Sequence, residues 1–287
     1  MEQSVIPTAL FSSLIAVVSL IWTGCSLHPD FVRSTESAFV RNPPAPMPVV
    51  TESEIASLPA PVQRYLRYSG AVGRPKPRNF RLEFEAEMRK NADASPMTAT
   101  SVQYNFFGEG SRYFFMKARM KGIPARVLHR YENASARMTV IAAHLFTVTD
   151  ISGDTLSRAE TVTILNDMCF FAPGALLDQR VRWTAIDDSS AGVTFTNGPY
   201  TVSATLQFTV DGALVDFVSS DRAALQDDGS LKMAPWSTPA RDYREVEGRR
   251  VAGYAEAVYH YPEGDLVYGK FWLRSIRWDV EGMDAED

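Results

Sequence analysis

One segment near the middle of the chain, Leu156–Asp178, reads LSRAETVTILNDMCFFAPGALLD, and its second half is apolar on nearly every side at helical spacing. Such a helix is stable in water only if it is enclosed, because each Å² of apolar surface left wet forfeits about 25 cal/mol. Pro173 and Gly174 end it, since a proline pushes the residue before it out of helical geometry. A helix is expected over Ser157–Phe171, and the rest of the chain must supply what encloses it.

What surrounds it has the period of strands. Over Asn79–Lys90, Phe80, Leu82, Phe84, Ala86 and Met88 alternate with Arg81, Glu83, Glu85, Glu87 and Arg89, the pattern of a sheet buried on one face and wet on the other. Further strands are expected at Met97–Phe107, Arg112–Met120, Arg126–Tyr131 and Arg137–Thr149. After the helix come Val181–Ile186, Gly192–Thr196, Tyr200–Val210 and Ala213–Ser219, and near the end Asp242–Glu247, Arg250–Tyr261 and Leu266–Val280. Gly108-Glu109-Gly110 and Asp211-Gly212 are hairpin turns. A second helical element, Thr51–Gly70, starts at a Thr51/Glu54 capping box and is split by Pro59 and Pro61. An open sheet of ten or eleven strands curls. The expected fold is mainly β with two helices (α+β): a large curved antiparallel sheet, a half-barrel, wrapped around a central apolar helix. Residues 51–287 form this single domain, residues 26–50 a proline-rich linker, and residues 1–25 a signal or anchor.

The N-terminus bears on location. Ala9–Trp22 is an uncharged apolar run followed by Thr23-Gly24-Cys25-Ser26, the pattern of an export signal. Gly24-Cys25 resembles the bacterial lipoprotein lipobox, which implies a lipid on Cys25, although Glu2 stands where a basic residue is usual and Trp22 where an aliphatic one is. An uncleaved membrane anchor or an ordinary cleaved signal are the other readings, and all three place the domain in the cell envelope, outside the cytoplasm. The tract Asn42–Pro48 favours extended polyproline geometry, suited to a tether. A net charge of −5 with dispersed Lys and Arg argues against a nucleic-acid partner. Two cysteines, Cys25 and Cys169, give no disulfide framework.

No metal-ligand, phosphate-binding, dinucleotide or nucleophile-elbow motif is present, so neither cofactor nor metal is expected. Of His28, His129, His144 and His260, His144 alternates with apolar residues and is expected on the concave side, as a core histidine or as a general base. Glu160 near the start of the central helix suits the helix dipole, with a catalytic carboxylate as the alternative. Trp236 between Pro235 and Pro239 is placed as a cap on a pocket mouth, with Asp221, Arg222, Arg241 and Asp242 as an ion-pair cluster beside it. Met88, Met97, Met116, Met138 and Met168 fall on inward faces or on the helix, and their adaptable thioethers suit an apolar ligand. Met88, Met138, His144, Met168, Phe171 and Trp236 are the expected ligand contacts.

Three segments in this order, Leu58–Leu66, Arg158–Leu177 and Asp221-Arg222 with Ala234–Pro239 and Tyr243, resemble an uncharacterised bacterial family of exported β-rich proteins, a domain of unknown function. Phe170 stands where that pattern has Trp. The resemblance supplies no catalytic residues. The architecture is similar to that of the lipoprotein-carrier and lipoprotein-receptor group, which implies an apolar cavity for acyl chains and no cofactor. The leading expectation is therefore a membrane-tethered binding protein for an acyl chain or other apolar ligand. A hydrolase or isomerase in the same cavity, and a structural lipoprotein without ligand, are the alternatives.

Overall fold

The computed structural model describes residues 27–120, 122–226 and 228–287, and the N-terminal signal with Cys25 lies outside these residues. Before the central helix come α1 (Leu27–Arg41), α2 (Glu52–Ile55) and α3 (Ala60–Tyr68), then β1 (Asn79–Met88), β2 (Met97–Phe106), β3 (Ser111–Met120), β4 (Ile123–Glu132), β5 (Ser135–Ala142) and β6 (Phe146–Ser152). The central helix α4 (Asp154–Phe171) runs into a 3₁₀ turn, Pro173–Leu177. After it come β7 (Val181–Ala185), β8 (Ser190–Asn197), β9 (Tyr200–Phe208), β10 (Leu214–Ser219), β11 (Ala223–Leu225), β12 (Leu231–Met233), β13 (Trp236–Ser237) and β14 (Ala240–Arg241). The chain closes with β15 (Arg244–Val246), β16 (Arg249–Val251), β17 (Tyr254–Tyr261) and β18 (Gly264–Trp278).

Fourteen strands make one antiparallel sheet in the order β6-β5-β4-β3-β2-β1-β18-β17-β13-β10-β9-β8-β7, with β14 on β17, and the sheet curves into a half-barrel around α4. The last long strand, β18, returns to β1 and so joins the two halves of the meander. Four α-helices, rather than the expected two, are found among the described residues.

Fifteen of the eighteen residues of α4 are buried. Val162, Ile164, Leu165, Met168, Phe170 and Phe171 share one core with Phe80 and Leu82 of β1, Phe195 of β8, Leu206 of β9 and Phe217 of β10. The carbonyls of its last turn, which no helical N–H can reach, are capped from outside. Trp278 Nε1 donates to Phe171 O at 2.7 Å, and the Tyr65 hydroxyl of α3 donates to Cys169 O. A small hollow at the C-terminal end of α4, against Ala172 and Pro173, measures about 10 Å³. That is room for one water at most.

Two expectations about the outer parts are corrected. Leu27–Arg41, placed in the linker, is a helix packed on the convex face: Phe31 is fully buried and stacks on Phe115 at 5.4 Å, and Phe39 meets Tyr104 and Phe106 edge-on. The convex face of β2–β5 is thus covered, where a wet face was expected. The prolines Pro43–Pro48 link α1 to the body without regular structure. The single strand expected over Arg137–Thr149 is two, because Ala143 and His144 both take left-handed backbone (φ +50° and +62°) and turn the chain between β5 and β6. No glycine or asparagine marks that turn, so the alternation reads straight through it.

If α1 is part of the fold, Phe31→Ala should lower unfolding stability by about 3–5 kcal/mol in denaturant titration. An unchanged midpoint would mean that α1 rests on the sheet without contributing.

Candidate functional site

Side chains that share the concave face of β1–β5 fall into rows set by the strand register. Nearest the start of β1 lie Phe80, Asn105, Arg112, Tyr131 and Ala136, followed by Leu82, Gln103, Phe114, His129 and Met138. Helix α4 covers these two rows with its polar side. Tyr131 Oη lies 2.7 Å from Thr161 Oγ1, and Ser157 Oγ accepts from Ala136 N at 2.9 Å.

Between them sits a buried ionic network. Glu160 Oε2 takes Arg112 Nη1 at 3.1 Å, while its Oε1 lies 3.3 Å from His129 Nδ1 and 3.6 Å from Arg222 Nη1. Asp167 Oδ2 accepts from Gln103 at 2.7 Å, Asn105 at 2.9 Å and Arg112 Nε at 3.2 Å. Arg112 also donates to Gln103 Oε1 at 2.9 Å. Arg222 donates to Ala159 O at 2.8 Å and to Thr163 Oγ1, with its guanidinium 4.7 Å from the Trp236 ring centre. Burial alone would raise the pKa of Glu160, but His129, Arg112 and Arg222 outweigh it and hold the carboxyl well below its usual range. Asp167 goes the other way, because its burial outweighs Arg112, Asn105 and Gln103. The dipole role expected for Glu160 is corrected: Asp154 is the acid in the first turn, and Glu160 is an interior pairing residue.

Beyond the network the face changes character. The next row is Phe84, Ser101, Met116, Val127 and Val140, and then Ala86, Ala99, Ala118, Ala125 and Ala142 lie side by side across five strands. Four of these alanines, with Phe114 and Met116, form an apolar cluster separate from the α4 core. Met88, Val127 and Phe271 pack on it half-buried. Gly269 lets Phe271 and Met88 close over the edge of the row, since a Cβ there would lie 2.7 Å from the Phe271 ring and 3.3 Å from Met88 Sδ. Ser101 is buried, and its Oγ makes no hydrogen bond.

The residues expected at the site are dispersed. Met88 borders the alanine row, and Met138 lies half-buried in the row of His129. Met168, Phe171 and Trp236 are buried in the α4 core. His144 does not face the concavity; it is exposed in the β5–β6 turn. Trp236 is 3% exposed and donates from Nε1 to Tyr268 at 3.2 Å, so it is a core residue and not a cap on a pocket mouth. The expected polar cluster is also split. Asp221 pairs with Arg158 at 2.9 Å, Arg222 joins the network, and Arg241 and Asp242 are exposed, with Arg241 3.9 Å over the Tyr254 ring.

One further constellation has the order of a hydrolytic relay. Ser237 Oγ lies 2.8 Å from His260 Nε2, and His260 Nδ1 lies 2.7 Å from Asp265 Oδ1. Ser237 is buried, and β13 is paired on both sides, by β10 and β17. The chain of bonds ties β13 to β17 and β18. Among the described residues no group of His, Cys, Asp and Glu is placed to hold a metal ion.

An antiparallel half-barrel closed on a central helix, with an ionic network at one end of its concave face and an alanine floor at the other, defines the class of molecule. The chain belongs to DUF6544, a family of unknown function whose model matches residues 48–271. Its fold is similar to that of a DUF1329 family protein from Desulfovibrio piger (TM-score 0.45, 12% identity, covering 80% of this chain and 97% of that one). It is also similar to a LolA superfamily protein from Nitrosomonas europaea (TM-score 0.40, 9% identity, covering 75% and 92%). No curated protein matches the sequence.

Glu160→Gln should cost about 3–5 kcal/mol by leaving two guanidiniums short of a buried partner. Because the folded pKa of Glu160 lies below the unfolded one, the stability it contributes is complete above about pH 4.3 and drains away as pH falls from there. Acid titrations of unfolding should therefore show a shallower loss in Glu160→Gln than in the parent, and equal slopes would contradict the assignment.

Proposed function

We propose that this chain is an envelope-located, membrane-tethered binding protein that shelters an acyl chain or similar apolar ligand on the alanine-lined half of its concave face. The alanine row carries this reading. Five neighbouring strands each place a methyl group at the same register, beside a row that holds Phe84, Met116, Val127 and Val140 with Ser101. Small side chains give the sheet a low floor there, and the side chains that cover it, Met88, Met116 and Phe271, are flexible or aromatic enough to part around a guest. From Met88 to the row of Gln103 is three steps of two residues, roughly 20 Å of strand, comparable with the ~15 Å depth of one bilayer leaflet.

The proposed ligand site thus lies along the alanine row rather than in the space expected between helix and sheet. Met88 remains a contact, joined by Met116 and Phe271. The tether is Cys25 or the apolar run Ala9–Trp22; no helix of the described residues is long and apolar enough to cross a membrane.

Solvent extraction of the purified chain followed by mass spectrometry should release lipid in stoichiometric amount. Affinity for added single-chain ligands should rise about fourfold per methylene (~0.8 kcal/mol each), until the chain outgrows the concavity. Ala118→Phe should abolish binding while leaving the fold intact by circular dichroism. A protein that yields no lipid and whose melting does not shift with any chain length would refute the reading.

A further inference from the structure

Resting on the binding site just proposed, we infer that its ligand inserts polar end first and that this end is a neutral acyl ester, its carbonyl accepting a hydrogen bond from Ser101. Polarity along the concave face is graded. The outer rim, Met88, Met97 and Ile123, is apolar, the alanine row follows, and Ser101 comes next, one row short of Gln103 and His129. Ser101 is 6% exposed and on the same face as Ala99, two residues away, and its Oγ has no hydrogen-bond partner. A buried hydroxyl left unpaired is costly, whereas Gln103, Asn105, Arg112 and Asp167 beyond it are all bonded to one another. A guest with an acceptor at its leading end satisfies the one polar group on this part of the face that is unsatisfied without it.

The charge balance decides between acceptors. An ionised carboxylate carried this deep needs a cation, and a buried charge without one is strongly disfavoured. The two guanidiniums behind Ser101, Arg112 and Arg222, already face two carboxylates, Glu160 and Asp167, and the His129 Nδ1 position is taken by Glu160. Arg222 Nε has no hydrogen-bond partner, but its guanidinium charge is countered by Glu160 at 3.6 Å, so a carboxylate would enter beside charges that are already balanced. An ester carbonyl asks only for the donor that Ser101 has free.

The test compares binding of a long-chain fatty acid and its methyl ester, matched in chain length, at pH 8 by calorimetry, to the parent and to Ser101→Ala and Ser101→Thr. The ester is expected to bind at least tenfold tighter than the carboxylate. Ser101→Ala should weaken the ester about fivefold, as loss of one neutral hydrogen bond does, while leaving the acid nearly unchanged, and Ser101→Thr, which keeps the hydroxyl, should retain most of the ester affinity. If both ligands bind equally, or if Ser101→Ala binds the ester like the parent, the polar-end-first assignment falls while the binding site stands. Failure of the parent to bind either would remove the site itself. If neither serine variant folds, ester binding that remains tenfold tighter in the parent supports the assignment, and a carboxylate preference overturns it.

Discussion

A helix buried over all but its first turn cannot keep the charges of its interior turns wet, so Glu160 and Asp167 must meet their partners inside the protein. Glu160 and Asp167 are seven residues apart on α4, and both are answered by Arg112 of β3, with Arg222 and His129 completing the set around Glu160. This pairing fixes the rotation of α4 and its height against the sheet, because a shift of one residue would carry both acids away from the single guanidinium they share. Apolar packing encloses the helix; the ionic network says which way round it lies. Ion pairs of this kind add little net stability over a well-packed apolar substitute, and their worth here is in register.

From that placement the two halves of the concave face follow. The network, with Tyr131, Gln103 and Asn105, occupies the first two rows of β1–β5 and holds α4 there. The rows beyond it are left to side chains of the sheet itself, among them five alanines in line. Those alanines are buried beneath Phe114, Met116, Met88 and Phe271 rather than beneath α4, and the proposed ligand site rests on their alignment.

Much of this was open to a reading of the chain. The alternation of Phe80 to Met88 fixed the faces of β1, and the apolar run before Pro173 gave α4 and its end. The turn at Ala143-His144 was hidden because left-handed backbone was adopted there without glycine, which sent His144 to the wrong face. Helix α1 was masked by the neighbouring prolines, although Leu27, Phe31, Thr35 and Ala38 recur at helical spacing. The ionic network could not be seen, since Arg112 and Glu160 are 48 residues apart and only the register brings them together. One signal was present: Arg112 sits at an inward position of a strand whose other inward residues are Phe114, Met116 and Ala118. The alanine row is likewise a product of register, as one alanine per strand means nothing until the strands are aligned.

What the alanine-floored half of the concavity holds decides the function. Methyl-resolved NMR of the protein with alanine methyls labelled, titrated with a single-chain acyl ester, observes that surface directly. Resonances of Ala86, Ala99, Ala118, Ala125 and Ala142 are predicted to shift together and saturate, while Ala172 and Ala175 in the α4 core stay in place. Shifts confined to the α4 core, or none at any of the five methyls at saturating ligand, would contradict it.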